Sequence, residues 1–292
     1  MIQHSYDDSA SLYLIPTPIG NLDDITVRAL NTLKQVDVLL CEDTRDTGLL
    51  LKKYDIKQTL LSCHEYNEDK IVGKVIDYLE KGKNIGLVTD QGSPIISDPG
   101  YIISRAVINA GYNVISLPGA TAFVPALSMS GIEPAPFLFY GFLSAKDSKQ
   151  KVELKSLKDL KYTLIFYESV HRMEKTLKNM LEVLGDRNIA ICREISKIHE
   201  EVCRDKISNI LQFVSQMKGE FVIIVEGNKE KVDYNSLDVI EHVKLYTEDG
   251  ISEKDAIKLV AKERNVAKSV IYNEYHNRKW CYEINSRIRQ SW

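Results

Sequence analysis

Ile85-Gly86-Leu87-Val88-Thr89-Asp90-Gln91-Gly92-Ser93-Pro94-Ile95-Ile96-Ser97-Asp98-Pro99-Gly100 is the stretch that decides how this chain folds. A short apolar run bounded by turn residues fits a strand buried in a parallel sheet, and the helix-patterned segment after Gly100 completes a strand, loop and helix. In open α/β sheets, ligands bind where loops leave the carboxyl ends of such strands. Gly92 admits a positive φ or a close backbone approach, while Pro94 and Pro99 stiffen the loop. Asp98-Pro99 matches an N-cap followed by proline at the first helical position, so Asp98 reads as a helix cap. Asp90 sits at the strand tip with no capping duty, and both a ligand role and a structural role stay open for it.

Outward from this stretch the same alternation repeats. Leu12 to Ile15, Val36 to Cys41, Leu60 to Cys63, Ile85 to Thr89 and Val114 to Leu117 read as strands separated by helical stretches, the signature of βαβ units and a parallel sheet. A second α/β set follows, with strands at Phe137 to Phe142, Leu164 to Tyr167, Ile189 to Cys192 and Phe221 to Val225. The breaker-dense Gly131-Ile132-Glu133-Pro134-Ala135-Pro136 lies just before it and marks the junction or lines the cleft between domains. The expected division is an N-terminal α/β domain over residues 1–119, a second over 120–230 that completes a cleft, and a helical extension over 231–292.

In that extension Ser252 is placed to cap a helix with Asp255 at its third position, and Ala256, Leu259 and Val260 form an apolar stripe. A turn at Arg264-Asn265-Val266 and a restart after Ser269 resemble a helix-turn-helix unit. From Lys254 onward nine cations stand against four acids, although the whole chain has a formal net charge of −3. Interleaved Tyr272, Tyr275, His276 and Trp280 add stacking surfaces to that basic segment, which points to nucleic acid; a solvated charged face is the alternative.

The 292 residues, 44% hydrophobic and 27% charged, describe a globular protein of more than one domain, with no apolar run long enough to span a bilayer. The polar Met1 to Ser11 segment matches neither a signal nor a transit peptide, so a cytoplasmic protein without membrane contact is expected. Cys41, Cys63, Cys192, Cys203 and Cys281 are odd in number and contain no C-x-x-C pair, which argues for reduced thiols. His64, His171 and His199 are too dispersed to suggest a metal site, and none is expected. The chain lacks both the G-x-G-x-x-G fingerprint and the Walker loop. Its first strand instead ends in Pro16-Thr17-Pro18-Ile19-Gly20-Asn21-Leu22, whose prolines offer few N–H groups and suit an uncharged or cationic ligand better than a pyrophosphate.

Polar groups cluster at other strand ends: Glu42-Asp43-Thr44-Arg45, Tyr167-Glu168-Ser169-Val170-His171-Arg172, and Arg193-Glu194-Ile195-Ser196-Lys197. Carboxylate and arginine together suit a phosphorylated or hydroxylated substrate, and equally suit structural ion pairs.

These motifs, with Asp90-x-Gly92-Ser93-Pro94-x-Ile96-Ser97-Asp98-Pro99-Gly100, Pro118-Gly119-Ala120-Thr121-Ala122 and Gly219-Glu220-Phe221, occur in an order that resembles the ribosomal RNA small subunit methyltransferase I family. The resemblance runs from about Leu12 to Gly227, and differs from the usual pattern at Asp46, Gln91 and Val170. It implies the two-domain tetrapyrrole methylase fold, a small C-terminal helical extension, a homodimer, and S-adenosyl-L-methionine-dependent 2′-O-methylation of a cytidine ribose in 16S ribosomal RNA, free or in the small subunit. The implied cofactor site comprises Pro16, Pro18, Gly20, Asp90, Gly92, Ser93, Pro94, Ile95, Thr121, Ala122, Pro134 and Ala135. Glu168 and His171, with Glu42 behind them, are the expected bases. Arg45, Arg172 and Lys197, and in the tail Lys258, Lys262 and Lys268, are expected to meet RNA. A tetrapyrrole methyltransferase and a non-catalytic nucleic-acid-binding protein are the alternatives.

Overall fold

The computed structural model describes residues 2–5, 7–229, 237–248 and 250–289, with side chains in the last helix up to Arg278. Two sheets occupy residues 2–228, which form one compact unit; residues 229–292 form another. The chain is of the α/β class expected from its alternating pattern.

The first sheet contains β1 (Ser11–Leu14), β2 (Val38–Cys41), β3 (Leu60–Ser62), β4 (Ile85–Leu87) and β5 (Asn113–Ser116) in the order β3-β2-β4-β1-β5. Every neighbouring pair is parallel. The loops after β1, β2, β4 and β5 therefore leave the same edge. Its helices are α1 (Val27–Gln35), α2 (Thr44–Lys53), α3 (Glu68–Glu80) and α4 (Tyr101–Asn109), whereas α5 (Phe123–Ser130) packs against the second sheet, with Ala126 and Leu127 beside Ile165, Ala190, Val222 and Ile224. Thr26 caps α1, accepting from the Ala29 N–H at 3.0 Å, and Asp43 caps α2, accepting from the Arg45 N–H at 2.7 Å. Central β2 and β4 are wholly buried, as their continuous apolar runs require.

The cap of α4 differs from expectation. Gly100 (φ +125°), not Asp98, holds the N-cap position and makes no side-chain bond. The free N–H of Ile103 is instead satisfied by Glu68, a buried residue at the start of α3, whose Oε1 accepts it at 2.9 Å. A carboxylate from the neighbouring helix does the capping, and Asp98 is released from it.

The second sheet runs β6-β7-β10-β8-β9, with β6 (Phe137–Phe142), β7 (Thr163–Ser169), β8 (Asn188–Arg193), β9 (Glu201–Lys206) and β10 (Glu220–Val225). Only β6 and β7 are parallel; β10 lies antiparallel between β7 and β8, and β9 is antiparallel to β8. Helices α6 (Asp147–Leu157), α7 (Val170–Leu184) and the short α8 (Ile207–Ile210) cover one face. There Leu154, Phe166, Leu177 and Ile223 are fully buried, each worth roughly 1.5–3 kcal/mol. Strand β9, Glu-Val-Cys-Arg-Asp-Lys, is mostly exposed and carries its charges on the sheet edge, so no apolar run announces it.

The C-terminal unit packs α9 (Val239–Glu248), α10 (Glu253–Glu263) and α11 (Lys268–Arg289) around Val243, Ala256, Ile257, Val260 and Ile271. Ser252 caps α10, as its spacing from Asp255 predicts. Leu259, expected on the apolar stripe, is exposed, and Ile257 takes the buried place. Among the described residues no helix is long and apolar enough to cross a membrane.

Candidate active site

Four loops of the first sheet are stitched together at its carboxyl edge. Thr17 and Gly92 exchange backbone hydrogen bonds at 2.9 and 3.1 Å, and the Thr17 hydroxyl donates to the Thr89 carbonyl. Ser93 Oγ donates to the Ala120 carbonyl at 3.0 Å. Asp90 Oδ1 accepts from the Asp43 N–H at 3.2 Å, so Asp90 joins the loops after β4 and β2. A Cβ on Gly119 would stand 2.5 Å from Pro16 Cβ, which is why that position tolerates only glycine.

The loop after β4 turns through four positive φ values, at Gly92 (83°), Ile95 (75°), Ser97 (69°) and Gly100 (125°). For β-branched Ile95 this conformation is strained by about 1–3 kcal/mol, and its packing against the first-sheet core helps to hold it.

Opposite these loops stand the carboxyl ends of β6 and β7 and the start of β10. Together they enclose a cleft of about 420 Å³ lined by Ile19, Glu42, Asp90 to Ser93, Ile96 to Asp98, Thr121 and Ala122 on one side. Phe142, Tyr167 to Ser169, Ile195 and Glu220 to Val222 form the other. The size fits a small organic ligand. Tyr167 is fixed by aromatic contacts with Phe139 (5.0 Å between centroids) and Phe142 (5.6 Å), and its hydroxyl lies against Thr121 and the Ala122 and Phe123 backbone.

The polar lining is acidic. Burial, then Glu42 and Asp90, pushes the Asp98 carboxyl up to about 7. Burial also raises Glu42 and Asp90. Such a wall favours a cation over a phosphate. His64 lies near Glu42, and its Nδ1 is buried without a hydrogen-bond partner.

The sequence profile of the Tetrapyrrole (Corrin/Porphyrin) Methylases matches residues 11–211. A Bacillus subtilis (strain 168) protein named ribosomal RNA small subunit methyltransferase I is 47% identical over 92% of this chain and 95% of its own length. The chain belongs to the ribosomal RNA small subunit methyltransferase I family. A relative of the same name from Haemophilus influenzae is 41% identical over 91% of this chain and 96% of its own length. Among solved structures, the methyltransferase CobJ aligns with TM-score 0.59 and 14% identity, covering 75% of this chain and 95% of that one. The cobalt precorrin-4 methyltransferase CbiF aligns with TM-score 0.55 and 20% identity, covering 77% and 98%. The fold is therefore that of the tetrapyrrole methylases, with C-terminal helices added, and the chain is a methyltransferase.

Measured against that fold, the structure redistributes the expected site residues. Asp90, Gly92, Ser93, Thr121 and Ala122 line the cleft. Pro18 and Gly20 line an adjoining cavity of about 290 Å³ that shares Asp90 and Gln91, and Pro16 packs on Gly119 beneath. Pro94 is buried, and Ile95 faces the first-sheet core. Pro134 and Ala135 are exposed and precede β6, whose far end, Phe142, reaches the cleft; six residues of strand separate them from it by about 20 Å. They are not cleft residues.

Of the expected bases, Glu42 and Glu168 line the cleft, whereas His171 is exposed on the first turn of α7 outside the lining. Glu168 is 3% exposed and fully engaged: it accepts from the Thr176 hydroxyl at 2.5 Å and the Ser169 N–H at 2.8 Å, and pairs with Arg172 Nε at 3.2 Å. Two expected phosphate ligands are likewise committed within the fold. Arg172 also donates to the Leu143 carbonyl, and Lys197 bridges Glu194 and Glu220 at 3.2 and 2.8 Å while its stem covers Gly20. Arg45 is highly exposed beside Asp43, and Lys258, Lys262 and Lys268 are exposed. Trp280 lies outside the described side chains. Asp98 is the cleft residue that sequence reasoning assigned elsewhere.

Proposed function

We propose that this chain transfers the methyl group of S-adenosylmethionine to the ribose 2′-hydroxyl of a cytidine in 16S ribosomal RNA, in the cleft between its two sheets. The observation that carries the reading is the 41–47% identity, over more than nine-tenths of the chain, to proteins named for small-subunit ribosomal RNA methylation. The cleft fits the donor chemically. Its lining combines apolar and aromatic surface for an adenosine with several carboxylates that suit a sulfonium cation, and it has no phosphate-cradling loop.

When bound, the donor supplies an already activated methyl group. Gly92, Ser93, Thr121, Ala122 and Tyr167 are the residues placed to hold it. What remains for the protein is to align the ribose oxygen with the methyl carbon and exclude water, orientation worth on the order of 7–11 kcal/mol. The stitched loops serve this: Thr17–Gly92 and Ser93–Ala120 keep one wall rigid, and the aromatic set around Tyr167 keeps the other. The exposed cations of the C-terminal unit, with Tyr272 half exposed and its ring 4.3 Å from that of His276, supply a surface for RNA phosphates and unstacked bases.

The test is incubation of the purified protein with methyl-labelled S-adenosylmethionine and either 30S subunits or their RNA, followed by nuclease digestion and nucleoside analysis. Label in 2′-O-methylcytidine is expected. Cofactor binding without label in RNA would move the activity to a tetrapyrrole substrate.

A further inference from the structure

We infer that Asp98 is the catalytic group that accepts the proton of the ribose 2′-hydroxyl; the inference rests on the RNA methyltransferase reading above. Five carboxylates line the cleft, and the structure gives them different duties. Glu168 is saturated by Thr176, Ser169 and Arg172. Glu220 is paired with Lys197, and Asp90 accepts the Asp43 N–H. Glu42 lies near His64. Among the described residues Asp98 and Glu42 meet no hydrogen-bond donor, and of these two it is Asp98 that acts electrostatically on Tyr167 of the opposite wall, while Glu42 has His64 beside it.

The placement of Asp98 explains why it meets no donor. Glu68 caps α4 from the side and leaves Asp98 without a structural task. The strained loop that carries it, through Ile95 and Ser97, puts it within electrostatic reach of Glu42, Asp90 and Tyr167. Tyr167 in turn touches Thr121 and Ala122 on the donor-binding side. A proton acceptor is needed where donor and hydroxyl meet, and Asp98 is the carboxylate without a hydrogen-bond donor that lies within electrostatic reach of Tyr167. As the ribose oxygen forms its bond to the methyl carbon, the carbon–sulfur bond breaks and its electron pair stays on sulfur, which becomes a neutral thioether. The hydroxyl proton passes to the Asp98 carboxylate.

The groups around Asp98 set its behaviour with pH. Glu42 and Asp90 on the first-sheet loops, Tyr167 and Glu168 on β7, and Glu220 on β10 share its cleft, and the nearby negative charges of Glu42 and Asp90 favour its protonated form. An acceptor whose proton affinity lies near the working pH is the most effective kind.

The experiment compares wild type, Asp98→Asn, Glu42→Gln and Glu168→Gln in single-turnover methyl transfer across pH, with cofactor affinity by calorimetry and melting temperature measured on the same samples. Asp98→Asn is expected to slow the chemical step by about 10²–10⁴-fold with cofactor affinity near the wild-type value. The wild-type rate should rise to a plateau through an inflection near pH 7, and Glu42→Gln should move that inflection to lower pH. Independently of activity, the melting temperature of Asp98→Asn should gain on that of wild type as pH rises from 4 to 8, because the substitution removes a buried charge. An Asp98→Asn enzyme that keeps the wild-type rate, or that loses rate only in step with cofactor affinity, overturns the assignment. Wild-type protein that binds cofactor and leaves RNA unlabelled overturns the RNA reading, and the assignment with it.

Discussion

Glu168 and Asp98 show how two carboxylates of one cleft take opposite parts. Glu168 is anchored in the protein; replacing it by Gln removes the charge facing half-buried Arg172 and weakens the bond from Thr176. Glu168→Gln should therefore lower stability by about 1–3 kcal/mol, visible as a drop in melting temperature, with any fall in activity following from it. A stable Glu168→Gln protein that has lost only its chemical step would reverse the roles assigned to the two residues. Sequence reasoning chose Glu168 because a carboxylate beside an arginine at a strand end looks the same whether it serves substrate or structure. It passed over Asp98 because Asp before Pro is a strong capping signal, and the residue that does the capping, Glu68, lies 35 positions before the Ile103 N–H that it accepts.

At the level of elements, the Glu68 bond ties α3 to the N-terminus of α4. Glu68→Ala should cost about 0.5–2 kcal/mol in chemical denaturation, and hydrogen exchange should quicken at Ile103 first. The strands of both sheets were legible because buried strands must be continuously apolar. β9 was not, since an edge strand with charged residues has no such run. Pro134 and Ala135 were expected at the cofactor from the family resemblance, and the breaker cluster beside a strand, which left junction and cleft both open, does not say which end of the strand meets the ligand; register decides that. In the C-terminal unit, His242 is fully buried, its Nε2 facing Glu263 at 2.9 Å and its Nδ1 accepting from Arg264 at 3.1 Å. Burial lowers its proton affinity below the ordinary imidazole value of 6.5. The unfolded chain then binds the proton more readily, so this unit should lose stability as pH falls through about 6.5, which a melting series from pH 8 to pH 5 would reveal. His242→Gln should flatten that series.

For the whole molecule, the division of labour is chemical. An acidic cleft repels phosphate, so RNA must be gripped elsewhere, and the exposed lysines of the helical unit are suited to it. Replacing Lys258, Lys262 and Lys268 together by Glu should leave cofactor affinity unchanged, weaken RNA binding, and reduce the dependence of log affinity on log salt by about 2 for single-stranded RNA. Equal salt dependence in variant and wild type would place the RNA surface away from these residues. The charged strand β9 carries a different consequence. It covers Ile189 and Ile191 of β8 with a margin of Glu201, Arg204, Asp205 and Lys206, which a neighbouring chain cannot extend without burying their charges. Neutralising that margin should let chains stack edge to edge at high concentration, so β9 acts as the molecule's guard against aggregation.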